Sequence, residues 1–171
     1  MTASFGHHLY ILRHAHSSWA RPGERDHQRP LDERGARDAD RLAEILGEES
    51  VKIDAVACST ARRAVDTLTP LRAALGNDVA IDYSDDLYAL GAEAYFAAAA
   101  RAPANVSALL IVGHNPMVEE FTAQLAGDGD EAARAALAGG FPTCALAIVG
   151  LPRPLAEVAP GSGRLLRVVR P

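Results

Sequence analysis

Leu9-Tyr10-Ile11-Leu12-Arg13-His14-Ala15-His16 is the stretch whose reading decides the fold. An apolar run, Leu9 to Leu12, stops abruptly at Arg13-His14. A short apolar run bounded in this way reads as a buried strand, here over 8–13. Buried strands of α/β proteins present their chemistry just past their carboxyl ends. A cation and an imidazole therefore stand where a ligand belongs. A single histidine so placed is ordinarily a packed or surface side chain. It gains weight here because the pattern returns twice.

The second occurrence is Asp54-Ala-Val-Ala-Cys-Ser-Thr-Ala-Arg-Arg-Ala-Val-Asp-Thr67. The strand-like run Ala55 to Cys58 leads into Ser59 and Thr60, both good N-cap residues. Arg62 and Arg63 then fall in the first turn of a helix. The third is Leu109-Leu-Ile-Val-Gly-His-Asn-Pro-Met117. There a strand over 108–112 ends at Gly113-His114, Asn115 can cap the next helix, and Pro116 suits its first position. Three strand ends thus offer Arg-His, Arg-Arg and His. Two of them are followed by helix N-termini, whose free amides and dipole favour an anion. Three convergent cationic corners in an acidic chain argue for a phosphate pocket.

In order along the chain, Arg13-His14-Ala15, Ser59-Thr-Ala-Arg-Arg-Ala-Val-Asp-Thr67 and Gly113-His114-Asn115-Pro116 resemble the histidine phosphatase superfamily. Asp26-His-Gln-Arg-Pro-Leu-Asp-Glu-Arg-Gly35 and Phe141-Pro-Thr-Cys-Ala-Leu-Ala147 are similar to its SixA-type phosphohistidine phosphatase branch. The resemblance spans about residues 8–150. The commoner family motif has Gly where this chain has Ala15, and that branch often has Ala there. The resemblance implies a three-layer α/β sandwich with a mainly parallel central sheet and helices on both faces. The alternation of strand and helix implies the same class independently.

Composition narrows the field. A chain of 171 residues fits one domain, 1–171, able to bury a sizeable core. The formal charge of -5 disfavours nucleic acid, which needs a broad basic surface. No apolar stretch reaches the ~18 residues of a membrane span. Met1 to His8 lacks the pattern of a signal peptide. Cys58 and Cys144 sit in apolar runs and read as buried free thiols, which fits a reducing, cytoplasmic setting.

Residues 1–7 read as a frayed leader, and His7-His8 as a solvated pair. Residues 17–30, with Pro22, Gly23 and Pro30, read as an active-site loop. Asp32 is a plausible N-cap for a helix with an apolar stripe through Ala39, Leu42 and Leu46, stopping near Gly47. A helix follows each of the second and fourth strands. A short strand is expected over 79–83, a polar stretch over 84–91, and a helix over 92–100. Gly127-Asp-Gly-Asp130 reads as a turn. It lacks the length and terminal Glu of a calcium loop. A short helix over 131–138 is followed by strands over 143–149 and 164–169, the last at an edge. These two late strands, with no helix between them, leave room for antiparallel pairing.

The chemistry follows from the residue types. Phosphoryl transfer asks a protein to position groups and neutralise charge. A neutral imidazole is a competent nucleophile toward phosphorus, and His14 is the expected one. It needs one ring nitrogen free and the other held, here by a backbone carbonyl. Arg13, Arg63 and His114 are expected to hold the phosphoryl oxygens, because a guanidinium fork pairs with two oxygens at once. Spacing leaves Arg62 and Arg63 equivalent. The family pattern, which puts the ligand directly before Ala, selects Arg63. In the resembling branch the Arg of Arg-Pro-Leu lies near the phosphate, which points to Arg29. Ser17 or Ser18 can donate to the phosphate, and His16 is at most a pocket wall. Many family members use a carboxylate from the segment matching 84–88 as general acid, so Asp85, ahead of Asp86, is the candidate. Imidazole leaves readily, so a weak acid suits a phosphohistidine better than a sugar phosphate.

The expected activity is therefore hydrolysis of a phosphoryl group through a covalent phosphohistidine intermediate, with no cofactor or metal. The partner is a phosphorylated protein or a small phosphorylated substrate. Rival readings are a mutase or small-molecule phosphatase on the same pocket, and a non-catalytic phosphate-binding module. His14-Ala-His16 also resembles the metal pair of barrel hydrolases, but such barrels need roughly 250 residues.

Overall fold

The computed structural model describes residues 4–171. Its elements run in the order β1 (His7–Arg13), a 3-10 turn (Asp26–Gln28), α1 (Glu33–Glu48), β2 (Ala55–Ser59), α2 (Arg62–Leu75), β3 (Ala80–Ser84) and α3 (Asp86–Ala89). Then come α4 (Ala92–Ala100), β4 (Ala108–Gly113), α5 (Met117–Leu125), β5 (Ala126–Gly129), α6 (Glu131–Leu137), β6 (Leu146–Leu151) and β7 (Gly163–Val169). The strands form one sheet in the order β3-β2-β4-β1-β6-β7-β5. β3, β2, β4 and β1 run parallel. β6 is antiparallel to both β1 and β7.

Alternation along the strands builds the two outer layers. Leu9 and Ile11 of β1, Leu109 and Ile111 of β4, and Ala147 and Val149 of β6 share one core with Tyr95 of α4 and Phe121 and Leu125 of α5. Leu12, Leu110, Val112, Val56 and Cys58 point the other way, into a core with Leu42 and Leu46 of α1 and Leu68 and Leu71 of α2. Helices therefore cover both faces, as expected. Both cysteines are free and buried, and burial pushes each thiol up to about 12.

Asp32 caps α1 as expected, its Oδ1 accepting from the Gly35 amide at 2.8 Å. Gly35 is required there. A Cβ would lie 1.9 Å from the His16 carbonyl oxygen.

Several expectations are corrected. The predicted leader is already ordered at Phe5, whose ring lies against Gly150, and His7 pairs with Leu151. Residues 1–3 lie outside the described residues. The turn predicted at Gly127–Asp130 is instead mostly strand β5, paired parallel to β7. The glycines permit it, because a Cβ on Gly129 would meet the Leu165 Cβ at 2.9 Å. Arg164 and Asp128 close the pair with an ion pair. Hence β7 is not an edge strand. The strand expected from Thr143 starts later, at Leu146. Cys144 takes a left-handed backbone (φ 58°) and turns the chain there.

The side-chain caps expected for α2 and α5 do not form. The N-cap of α2 is Ala61, and Ser59 Oγ accepts only the Ala61 amide, at 3.2 Å. The N-cap of α5 is Pro116, after a cis Asn115-Pro116 bond.

Candidate active site

The carboxyl ends of β1, β2 and β4 lie side by side. Arg13 is level with Gly113, and Cys58 with Val112. This register brings the three cationic corners of the sequence to one rim. They line a cavity of about 280 Å³ with Arg13, His14, Ser17, Trp19, Arg29, Arg63 and His114 among its walls. A cleft of about 360 Å³ between α5, β5 and α6 carries no imidazole.

His14 is 7% exposed. Its Nδ1 donates to the Ala15 carbonyl at 2.7 Å. Its Nε2 accepts from Arg63 Nε at 3.3 Å. A carbonyl only accepts and a guanidinium only donates, so these two partners fix the tautomer: proton on Nδ1, lone pair on Nε2. Burial pushes the ring pKa down to about 4. The Ala15 carbonyl opposes this, and Arg63, Arg13 and Arg29 add to it. The ring is neutral at neutral pH.

Arg63 reaches the ring from the first turn of α2 and is 6% exposed. Nη1 donates to the Asp26 carbonyl at 2.8 Å, and Nη2 to Asp26 Oδ2 at 3.1 Å. Arg62 points outward and pairs with Asp66 at 3.5 Å. This is the division the family pattern implied. Arg13 Nη1 donates to the Phe141 carbonyl at 2.7 Å, while its Nε is buried without a partner. Arg29 lies 3.1 Å from Asp26 Oδ1.

His114 is 3% exposed, its ring centroid 5.1 Å from that of His14. Its Nε2 shares a 2.7 Å hydrogen bond with Ser59 Oγ, and its Nδ1 is buried and unpartnered. Burial lowers its pKa to about 3, with His14 and Arg63 adding to the effect. Its amide donates to the Tyr95 hydroxyl at 3.1 Å, which itself donates to the Leu87 carbonyl at 2.8 Å. Gly113 makes this possible, because a Cβ there would meet the Tyr95 hydroxyl at 2.1 Å.

Ser17, Ser18 and His16 line the cavity as well. His16 Nδ1 pairs with Asp32 Oδ2, so the cap of α1 also anchors this wall. Asp85 does not reach the cavity. It is exposed, and its Oδ1 accepts from Thr60 Oγ1, which is in turn 2.9 Å from His27 Nε2. Asp86 is exposed as the first residue of α3. Among the described residues, no carboxylate lines the cavity.

Sequence reasoning missed several supports. Asp26 is the hub behind the cations, bound to Arg63 and Arg29 and accepting from the Tyr88 hydroxyl at 3.0 Å. Burial pulls its pKa up, but Arg63, the Tyr88 hydroxyl and Arg29 outweigh this and hold it below the usual carboxylate value. Tyr88 packs edge-on against His114 and lies under the Arg63 guanidinium, 5.9 Å from its ring centroid. Thr67 is fully buried. Its Oγ1 donates to the Arg63 carbonyl at 2.7 Å and accepts the Ala15 amide at 2.9 Å. Asp26, Ser59 and Thr67 stood inside the motifs already quoted. Nothing local marked Tyr88 or Tyr95, whose positions depend on the packing of α3 and α4.

Comparison with known proteins agrees with the fold. The family model of the histidine phosphatase superfamily (branch 1) matches residues 9–91. An uncharacterized protein of Mycobacterium tuberculosis is 36% identical over 157 residues, 91% of this chain and 96% of that protein. The crystal structure of a candidate phosphohistidine phosphatase, SixA, from Agrobacterium tumefaciens is 33% identical. It superposes with a TM-score of 0.82 over 98% of this chain and 100% of its own. A protein histidine phosphatase SixA solved with tungstate shares the fold at 22% identity and a TM-score of 0.76, over 95% of this chain and 96% of its own. The chain belongs to the histidine phosphatase superfamily.

Proposed function

We propose that the chain is a phosphatase that hydrolyses phosphohistidine in a protein through a phosphorylated His14. The observation that carries this reading is the double constraint on that ring. Ala15 holds the proton on Nδ1, and Arg63 faces the lone pair on Nε2. The nucleophile is thereby pre-oriented and uncharged, and it points into the cationic cavity.

In this reading Nε2 of His14 attacks phosphorus, and the bond from phosphorus to the substrate imidazole breaks. Arg13, Arg63 and Arg29 hold the phosphoryl oxygens, with Ser17 as a further donor. The His114 Nδ1 also donates to the phosphoryl group. That role requires a proton on Nδ1, so the Ser59 hydroxyl must donate to Nε2 while it accepts the Ala61 amide. Water then attacks the phosphorus, the bond from phosphorus to His14 Nε2 breaks, and dihydrogen phosphate leaves with the ring neutral and its proton still on Nδ1.

The placement of Asp85 favours a phosphoramidate over a phosphate ester. No carboxylate lines the cavity among the described residues, and Asp26, bonded to the cavity's Arg63 and Arg29, is held ionised, so an alkoxide leaving group has no ready acid. A substrate imidazole, already protonated on its distal nitrogen, leaves as a neutral ring without one.

The test is rapid-quench trapping with radiolabelled phosphohistidine-bearing protein, run beside a phosphomonoester. The expected result is an acid-labile, base-stable label on the protein, absent from His14→Ala, whose turnover falls by about 10⁴-fold or more. Faster turnover of the ester would assign a small-molecule phosphatase instead. Binding of phosphate with no label and no turnover would leave only a binding module.

A further inference from the structure

The sole tryptophan of the chain, Trp19, stands 89% exposed at the wall of the catalytic cavity. Leaving an indole in water forgoes one of the largest apolar burials a side chain can make. The loop that carries it is firmly held. The Ser18 amide donates to the Pro30 carbonyl at 3.1 Å, and Ser17 bridges Leu31 at its base. The Asp32 amide donates to the His16 carbonyl at 3.2 Å. At its tip the Glu24 amide donates to the Arg21 carbonyl, Gly23 takes φ 80°, and the Glu24 carboxylate accepts the Arg21 amide. A loop pinned in this way presents Trp19 without much further ordering on binding.

Charge identifies what it presents to. Arg21 and Arg25 lie exposed on the same loop, and among the described residues neither has an ion-pair partner. The Asp26 carboxylate is already taken by Arg63 and Arg29. A chain of net charge -5 thus carries, on the loop whose Trp19 walls the phosphate cavity, a strip of sequence with two arginines free of ion pairs among the described residues, either side of Glu24. Tryptophan and arginine are the residues most enriched where protein partners bind tightly.

We propose that Trp19, Arg21 and Arg25 form a docking surface for an acidic segment of the histidine-phosphorylated protein, with Trp19 packing against the chain beside the phosphohistidine. The inference rests on the phosphohistidine reading and adds its specificity. The cavity takes the phosphoryl group, and the strip selects the protein that delivers it.

The test uses three probes: free phosphohistidine, and two synthetic peptides phosphorylated on one central histidine with phosphoramidate, one with acidic and one with basic flanks. The expected wild-type preference in kcat/KM for the acidic peptide over free phosphohistidine is about tenfold or more, carried in KM. Trp19→Ala and Arg21→Glu/Arg25→Glu each collapse that ratio, and added salt weakens it. In His14→Ala protein, the acidic peptide shifts the Trp19 emission to the blue and the basic peptide does not. Equal preference in wild type and Trp19→Ala, or a preference for basic flanks, overturns the docking surface and leaves the phosphohistidine reading standing. No turnover of any of the three probes by the wild type overturns that reading, and the docking surface with it.

Discussion

The two halves of the sheet serve the site in different currencies. The parallel half, β3-β2-β4-β1, brings side chains: Arg13, His14, Arg63 and His114 all follow or flank its carboxyl ends. The other half, β6-β7-β5, antiparallel where β6 meets its neighbours, and the segment before it bring mainly backbone. The Phe141 carbonyl holds Arg13, the Cys144 amide donates to the Arg13 and His14 carbonyls, and the Arg13 amide donates to the Ala145 carbonyl. One half supplies charge and the other fixes its direction. Glu119 joins them, its Oε2 accepting the Phe141 amide at 3.0 Å and Asn115 Nδ2 at 3.1 Å. A pocket of buried cations needs both, because charges out of water hold their geometry only when each is tied down.

The sharpest test of the division is Arg63→Ala, which removes the donor to His14 Nε2. Turnover is expected to fall about 100- to 1000-fold, with Arg63→Lys little better because lysine lacks the planar fork. A loss below tenfold would move the burden to Arg13 and Arg29.

Acid should expose the cost of the buried rings. Folded-state pKa values of about 4 for His14 and about 3 for His114 lie below the unfolded value near 6.5. The unfolded chain therefore binds protons first, so stability is full above pH 6.5 and falls as pH drops below it. His14 alone should cost about 2–3 kcal/mol between pH 7.5 and 4.5. Urea melts at the two pH values measure this, and His14→Asn should flatten the slope. An unchanged slope would mean that the ring is accessible to water.

Glu119→Ala probes the backbone half. It frees the Phe141 strut that holds Arg13 and removes a carboxylate that acts on the Arg13 charge and holds Asn115. About a tenfold loss in kcat/KM is expected, without loss of fold by circular dichroism. No change would make the antiparallel half a passive scaffold. The smallest effect is assigned to Asp85→Asn: less than about threefold on a phosphoramidate, since the carboxylate faces Thr60 and not the cavity. A loss of about 100-fold, the range of a true general acid, would restore it as the proton donor.

Legibility followed the same boundary. The parallel half could be read because its strands are apolar runs broken by polar corners, a local signal. Even the limits of α4, Ala92–Ala100, followed from sequence. In the other half the two late strands and their antiparallel pairing were legible as well, but β5 was not. Gly127–Asp130 has every mark of a turn, and only the close approach of Leu165 makes it a strand that displaces β7 from the edge. The bonding of Asp85 was hidden for a similar reason. Its neighbours in sequence suggest a helix start beside the site, while its carboxylate is claimed by Thr60, which is 25 residues away.

By itself, the sequence determined that three strand ends carry Arg-His, Arg-Arg and His, and that these strands alternate with helices. Those are properties of apolar runs and their interruptions. Only the tertiary structure decided which nitrogen of His14 is free, that Asp26 and Tyr88 stand behind Arg63, and that Trp19 is left in water. Hydrogen-bond direction and burial depend on atoms brought together from distant parts of the chain, and no local pattern encodes them.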